Sequence, residues 1–575
     1  MAKPFFFSQT AMKAVNTVED YLLSLPQDHP LQISLRTYGL ALTLSLAPVV
    51  LPFITTATSR RGRAKLGGLK ALKRALRREL GVTGFAFAIT TAIGGGASLQ
   101  HLWKVLEAEV DDERDPDERT ALSNALRSAG ELLRRVSTAC NLTPARKAFL
   151  CNAGTSLIAL VLLQSRKRAN RQAPIPLTPP FPFTQLPPGV PRRNGPPPTL
   201  DLTLLMFVRA MDVGVQACLL KYANSASPGK EQEAKERRRK LIRHSDALLF
   251  WMSSARIMWC FFYQPERLPR SYVKWITSLA DIDSRLVYTL RAIRSRDWVY
   301  GKKSPKLLTS MAEDIGIPKS WGDAARLPPH GGPAADHAWK ALGVPGRTGV
   351  GGLPCEIVHG GMDRKSCTAN ATRRGAKAFL EALAIYLPVH FLPMIVTRPS
   401  ALLKLSTLLR RLLSALRSAT FLSAFVSSIW LSVCLTRTLL LARLFPSVSH
   451  NFWDGPYGCI MAGCLACGSS IWIEEGRRRG EMALYVLPRA VRSCLSDGWV
   501  RSGNKSTMIA ERLAFVLSLS TLLTTAVHRP DVLRGLHRWT LDFILRGPNA
   551  ALLNRRRKIE PRSDSKGADN TRSNE

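Results

Sequence analysis

Residues 455–480, GPYGCIMAGCLACGSSIWIEEGRRRG, constrain this chain more than any other stretch. They are apolar, dense in small residues and closed by Arg477, Arg478 and Arg479. Gly458, Ala462, Ala466 and Ser470 recur every four residues, which places them on one face of a helix. Small faces let helix backbones approach closely inside a bilayer, where van der Waals contact drives association. Added bulk at Gly463 or Ala466 should therefore disturb assembly. The arginines then stop the segment at a membrane surface. A packing span is expected rather than a buried helix of a soluble protein, because further apolar segments flank it.

Long apolar runs recur at 38–57, 82–102, 148–164, 202–222, 378–396, 420–441, 458–473 and 513–527. Shorter ones lie at 248–263 and 482–494. A bilayer core takes about twenty helical residues, so most of these runs are candidate spans. The run 82–102 repeats the small-residue spacing with Gly84, Ala88, Ala92 and Gly96. Arg209 and Asp212 sit within 202–222, three residues apart on one face, so they can neutralise each other. Arg489 occupies 482–494. Charges at membrane depth are costly and face the bundle interior. LTLLMFVRAMDV (202–213) aligns with MALYVLPRAVRS (482–493) and pairs Arg209 with Arg489, as a duplicated bundle would.

The expected fold is all-α: a polytopic integral membrane helical bundle of two related halves, with soluble loops. Residues 1–265 form an N-terminal membrane module carrying a proline-rich linker at 172–199. Residues 266–377 form a soluble connector, 378–545 a C-terminal membrane module, and 546–575 a disordered basic and polar tail. An amphipathic basic helix at 402–417 precedes the span at 420–441.

Charge narrows the partners. Eighty-one Lys and Arg against 42 Asp and Glu give a net charge of +39 over 575 residues. The basic residues cluster at the ends of apolar runs, which fits anionic lipid headgroups at basic loops. Nucleic acid is not an expected partner: aromatics are 7% and no basic-aromatic interleaving occurs. The partners expected are the lipid bilayer and other helices, in a homo- or hetero-oligomer built through the small-residue faces. The proline-rich and basic loops also fit a scaffold that recruits partners. Most of the eleven cysteines lie in apolar runs, where a thiol acts as a small hydrophobe, and this usage fits reducing surroundings. No secretory leader, mitochondrial transit peptide or SKL-type address is read, so internal segments are expected to carry targeting.

Chemistry is sparse. The loop PCEIVHGGMDRKSC brings Cys355, His359 and Cys367 together in sequence, and His337 is available as a fourth metal donor. The paired C-x-x-C of zinc sites is missing, so a structured loop or a disulfide is expected there and no metal. Cys464 and Cys467 have redox spacing but sit in an apolar helix, where packing is the better reading. HGG occurs at His330 and at His359 without the G-x-S-x-G elbow a hydrolase needs. Phosphate-loop, zincin and dinucleotide signatures are absent from the sequence. No catalytic residue, cofactor or enzymatic activity is expected, although a membrane-bound lipid-metabolising enzyme is kept as an alternative.

From Pro354 onward the chain resembles a known family. PCEIVHGGMDRKSC, FLEALAIYLPVHFLP (379–393), RSATFLSAF (417–425) and the run 455–494 resemble, in that order, the transmembrane protein 135 family, in a fungal-type form. The glycine-rich spans are distantly similar to Tim-type translocase and small peroxisomal membrane proteins. The resemblance covers about 355–495. It implies a polytopic protein of peroxisomal or mitochondrial membranes, peroxisome first, involved in lipid homeostasis or organelle dynamics as a transport-like or organising component. It carries no catalytic residues over.

Overall fold

A computed structural model of the chain describes residues 24–58, 73, 76–111, 121–165, 199–225, 230–280, 282–361, 366–397, 404–496 and 505–547. The linker expected at 172–199, except Thr199, and the tail beyond 547 lie outside these residues. Helices, turns and loops account for all the described residues, and none is in a strand. In order the helices are α1 (Pro30–Thr58), α2 (Phe85–Val110), α3 (Ala121–Ala139), α4 (Pro144–Ser165), α5 (Leu200–Asn224), α6 (Glu231–Tyr263), α7 (Arg270–Ala280), α8 (Ser284–Ser295), α9 (Thr309–Asp314) and α10 (Pro333–Leu342). They continue with α11 (Cys355–Val358), α12 (Cys367–Thr397), α13 (Leu405–Cys434), α14 (Leu441–Leu444), α15 (His450–Trp453), α16 (Cys459–Gly468), α17 (Gly476–Cys494), α18 (Lys505–His528) and α19 (Gly535–Arg546).

These helices form two compact units whose boundaries differ from those expected. The first contains α1–α5 and, from the far end of the chain, α18 and α19; the second contains α6–α17. Hydrophobic periodicity shows that a segment is a helix with an apolar face. It does not show which partner that face takes.

Among the described residues, four stretches are long and apolar enough to cross a membrane: Pro144–Ser165, Leu200–Asn224, Leu405–Leu444 and Ser506–His528. Three belong to the first unit. There α1 packs on α2, α2 on α4, α4 on α18, and α18 on α5. The interior of this row is partly polar. Asn152, Ser156 and Ser520 are at most 2% exposed, and Thr203, Gln216 and Glu511 are buried too. The amide of Gln100 donates to Asn152 Oδ1 at 3.2 Å, and Asn152 Nδ2 donates to Thr524 Oγ1 at 3.3 Å. Thr199 Oγ1 donates to Glu511 Oε1 at 2.6 Å.

In the second unit α16 lies between α6 and α13, α17 packs on α6, and α12 packs on α13. The charged stretch before residue 247 and the apolar run 248–263 are one helix, α6. Its last turns are apolar all round, and Ile257, Met258, Trp259, Cys260, Phe261, Phe262 and Tyr263 are all buried. The expected break between an amphipathic helix at 402–417 and a span at 420–441 is absent. Neither Gly nor Pro interrupts α13, so the two run on as one helix.

The expected connector 266–377 folds into a lobe with its own core, built around Trp298, Leu308, Met311, Trp321, Leu327 and Trp339. Val426 and Trp430 of α13 are part of that core.

The stretch 455–480 is not a span. Helix α16 has ten residues and a 3-10 turn, Ser469–Ile473, follows it. Fifteen residues fall short of the twenty or so a crossing takes. Its arginines fold back on the helix end. Arg479 donates to the carbonyls of Glu474 and Trp472, each at 2.9 Å, and Arg478 reaches Glu474 at 3.4 Å and Ser418 Oγ at 2.9 Å. Cationic side chains there satisfy carbonyls that a helix end leaves open.

Candidate functional site

On α2 the small residues Gly84, Ala88, Ala92 and Gly96 are all buried. A Cβ on Gly96 would stand 2.3 Å from Asn152 Oδ1 of α4, which shows how close the two helices come. Thr155 of α4 donates its hydroxyl to the Ala92 carbonyl at 3.0 Å. On α16 the closely packed face is turned by one residue from the one read in the sequence. Ala462 and Ala466 are half-buried, whereas Gly463, Cys464, Cys467 and Gly468 are buried. Gly463 faces the Ile429 carbonyl of α13, and Gly468 faces Trp251 of α6. Gly458 and Ser470 are buried at the two ends of this element. Two facing helices, rather than one, decide which side of α16 needs to be small.

Asp212 and Arg489, two of the charges expected at membrane depth, have partners beyond their own helices. Asp212 accepts from Arg534, just ahead of α19, through Nη2 at 2.6 Å and Nε at 2.9 Å. The i, i+3 spacing offered Arg209 as its neutraliser; a basic residue 322 positions away supplies this bidentate pair. Arg489 lies over the rings of Tyr485 and Tyr272, at 4.0 and 5.2 Å from their centroids, and donates to the Tyr485 carbonyl. Cation–π stacking and α17's own backbone hold it.

The densest chemistry lies where the polar lobe meets the ends of α12 and α13. Cys355 opens α11 and His359 closes it, so one helical turn brings both side chains to the same face. Gly360 and Gly361 follow with φ of +67° and +75°, which ends the turn. The HGG at His359 is thus a helix stop. Cys367 is the first residue of α12. The donor atoms of Cys355, His359 and Cys367 all lie within 4.8 Å of one another, and the three residues are buried. Cys367 Sγ is 3.9 Å from Cys355 Sγ. Contact with Cys367, then burial, pushes the Cys355 thiol up to about 12.

The sequence reading missed a fourth member. Cys434, the last residue of α13, shares the buried cluster with Cys355 and Cys367, and its Sγ is 3.5 Å from His359 Nε2. His337, the fourth donor the sequence offered, is exposed on α10. A π-helical turn, Leu435–Leu439, directly follows Cys434. Such a turn inserts a residue and re-aims the side chains after it. Here it places Thr438 Oγ1 3.6 Å from Cys355 Sγ and turns Arg437 inward.

Arg437 is 2% exposed. Its Nε and Nη2 donate to the two oxygens of Asp454 at 2.6 and 3.2 Å, and Nη2 also donates to the Leu353 carbonyl at 2.9 Å. Tyr300 donates to Asp454 Oδ2 at 2.5 Å, and His450 Nδ1 lies 3.4 Å from the same oxygen. Burial acts to raise the Asp454 carboxyl, but Arg437 and His450 outweigh it and hold the group well below the usual carboxylate range. A second arginine, Arg347, is 5% exposed and donates from Nη1 to Cys355 Sγ at 3.4 Å. Arg374 of α12 donates to the His359 carbonyl at 3.2 Å and lies 3.8 Å over the Trp430 ring. A groove of about 660 Å³ runs beside this cluster between α12 and α13, lined by small and apolar residues such as Gly375, Ala376, Phe379 and Ser427.

An ionisable residue inside an apolar run was the available signal for Arg437, and Asp454 stands just ahead of the glycine-rich stretch. Comparison of the chain with family models, with curated proteins and with solved structures finds no match.

Proposed function

We propose that this chain is an integral protein of an intracellular organelle membrane, the peroxisome first and the mitochondrion second. It acts in lipid homeostasis or organelle dynamics as a transport-like or organising component, without enzymatic activity. The observation that supports membrane residence is the apolar exterior of the first unit's helices. Leu150, Leu157, Ile158 and Val161 of α4 point outward, as do Phe207, Met211 and Val215 of α5 and Ile509, Leu513 and Leu517 of α18. The latter two sets repeat every four residues, so each is a continuous apolar stripe. The interior mixes the apolar residues Leu160, Val213, Phe515 and Leu522 with the polar Asn152, Ser156, Gln216, Glu511 and Ser520. In water such continuous apolar stripes would be a costly exposed patch; in lipid the apolar outside costs nothing, and the buried polar contacts help hold the helices together. The organelle and the lipid role rest on the resemblance of residues 355–495.

Fractionation with protease protection of the tagged full chain tests the reading. The chain should resist alkaline carbonate extraction and travel with peroxisomes, and its removal should change cellular lipid composition or organelle number. Release by carbonate, or unchanged lipids and organelles, counts against it. Leu513→Arg gives a sharper check, because an arginine on a lipid-facing stripe costs about 3 kcal/mol at mid-membrane. The variant should lose membrane insertion, whereas the same change at the exposed Leu132 of α3 should not.

A further inference from the structure

We propose that Cys355, His359, Cys367 and Cys434 bind one Zn2+ in a closed Cys3His site, which fastens the polar lobe to the start of α12 and the end of α13. The donors of Cys355, His359 and Cys367 lie within 4.8 Å of one another, and Cys434, from a third element, joins the same buried cluster with its Sγ 3.5 Å from His359 Nε2. Zinc–sulfur bonds of about 2.3 Å and zinc–nitrogen bonds of about 2.0–2.1 Å in a tetrahedron put two sulfurs about 3.8 Å apart and a sulfur and a nitrogen about 3.6 Å apart. The Cys355–Cys367 sulfur separation is 3.9 Å, and Cys434 Sγ lies 3.5 Å from His359 Nε2. The first distance is nearly twice a disulfide bond of about 2.05 Å.

The surroundings fit the charge of such a centre. Three thiolates and a neutral imidazole around Zn2+ carry one net negative charge, and binding releases three thiol protons to solvent. Arg347, with its N–H on Cys355 Sγ, supplies a buried positive charge at that sulfur. Arg374 holds the backbone of His359. Such outer contacts orient metal ligands and are part of a working site. Soft thiolates with one imidazole favour zinc, and four protein donors leave no open position, which makes the site structural rather than catalytic. The C-x-x-C that this loop lacks is replaced by a Cys-x-x-x-His helical turn and two cysteines at helix termini.

The test is metal analysis of the full chain, purified in detergent without a histidine tag. About one zinc per chain is expected, falling to below about a tenth in Cys355→Ser, Cys367→Ser and Cys434→Ser. Cys464→Ser, a buried thiol of α16 outside the cluster, should keep its zinc. If the three variants fail to fold, cobalt substitution of the unaltered chain decides instead. A tetrahedral spectrum with strong thiolate-to-cobalt absorption supports three sulfur ligands. The proposal is overturned if the unaltered chain neither carries zinc nor takes up added zinc or cobalt. Iron in its place, full zinc retention by Cys434→Ser, or a disulfide joining Cys355 and Cys367 under non-reducing alkylation would each overturn it too.

Discussion

At the level of single residues, the buried charges around Asp454 make the second unit sensitive to acid. His450 is 1% exposed, and burial lowers its pKa from the usual 6.5 despite the neighbouring carboxylate. The folded chain therefore keeps His450 neutral, while the unfolded chain takes up a proton as pH falls through 6.5. Its contribution is complete above that value and is lost progressively below it. Asp454, depressed from 3.8, adds a second loss that begins only below about that pH. Thermal unfolding in detergent, followed by tryptophan fluorescence between about pH 7.5 and 5.5, should show a falling midpoint that His450→Gln flattens. The difference between the two profiles is the quantity to read, since the cysteine–histidine cluster responds to pH as well. An unchanged slope in the variant would remove His450 from this role. Cys355, His359 and Cys367 stand out in the sequence because they crowd one polar loop. Cys434 does not, because an apolar run makes any cysteine look like a packing residue; only the π turn after it shows where it points.

At the level of helices, close approach is the property that the small-residue spacing encodes. On α2 the register is legible at Ala92 and Gly96, which meet Thr155 and Asn152 of α4, whereas Gly84, just ahead of the helix, lies against the carbonyls of Glu79 and Gly81. On α16 the same spacing gave a face one residue off, because that helix is squeezed from two sides and is too short to span. Gly96 and Gly154 separate close packing from mere glycine content. A Cβ on Gly96 meets Asn152 at 2.3 Å, whereas a Cβ on Gly154 of α4 meets nothing within 4 Å. Gly96→Leu should push α2 from α4, break the Gln100–Asn152 contact and cost about 1–3 kcal/mol or more. Gly154→Leu, on an exposed face, should be close to neutral. Protein abundance and melting temperature of the two variants in the same detergent check this. Equal losses would mean that glycine matters here through backbone freedom rather than space.

At the level of the whole chain, the first unit is built from two distant parts of the sequence, and this has a consequence for folding. Helix α18 supplies Phe515, Leu519, Leu522 and Leu523 to the core that Ile33, Ala92, Leu160 and Val213 share, and α19 adds Leu541 and Ile544. Without α18, α5 loses the helix it packs against and α4 loses one of its two. The amino-acid pattern marks α18 as an apolar helix near the C-terminus, which suggested membership of a C-terminal module. Nothing local in it encodes a return to residues more than 300 positions earlier, because loop closure over such distances costs only slowly growing entropy and leaves no sequence mark. A fragment of residues 1–225 should therefore be degraded or stay protease-sensitive in membranes. Residues 226–501 should resist proteolysis when expressed alone, since their cores draw on no other segment among the described residues. Co-expression of 502–575 should restore protease resistance to 1–225, and Phe515→Ala should weaken that rescue, since its ring is fully buried. Truncation of a large core aromatic costs about 3–5 kcal/mol, enough to shift a two-fragment equilibrium by more than a hundredfold. If 1–225 is stable by itself, or if only 226–501 rescues it, the two-part construction of this unit is wrong.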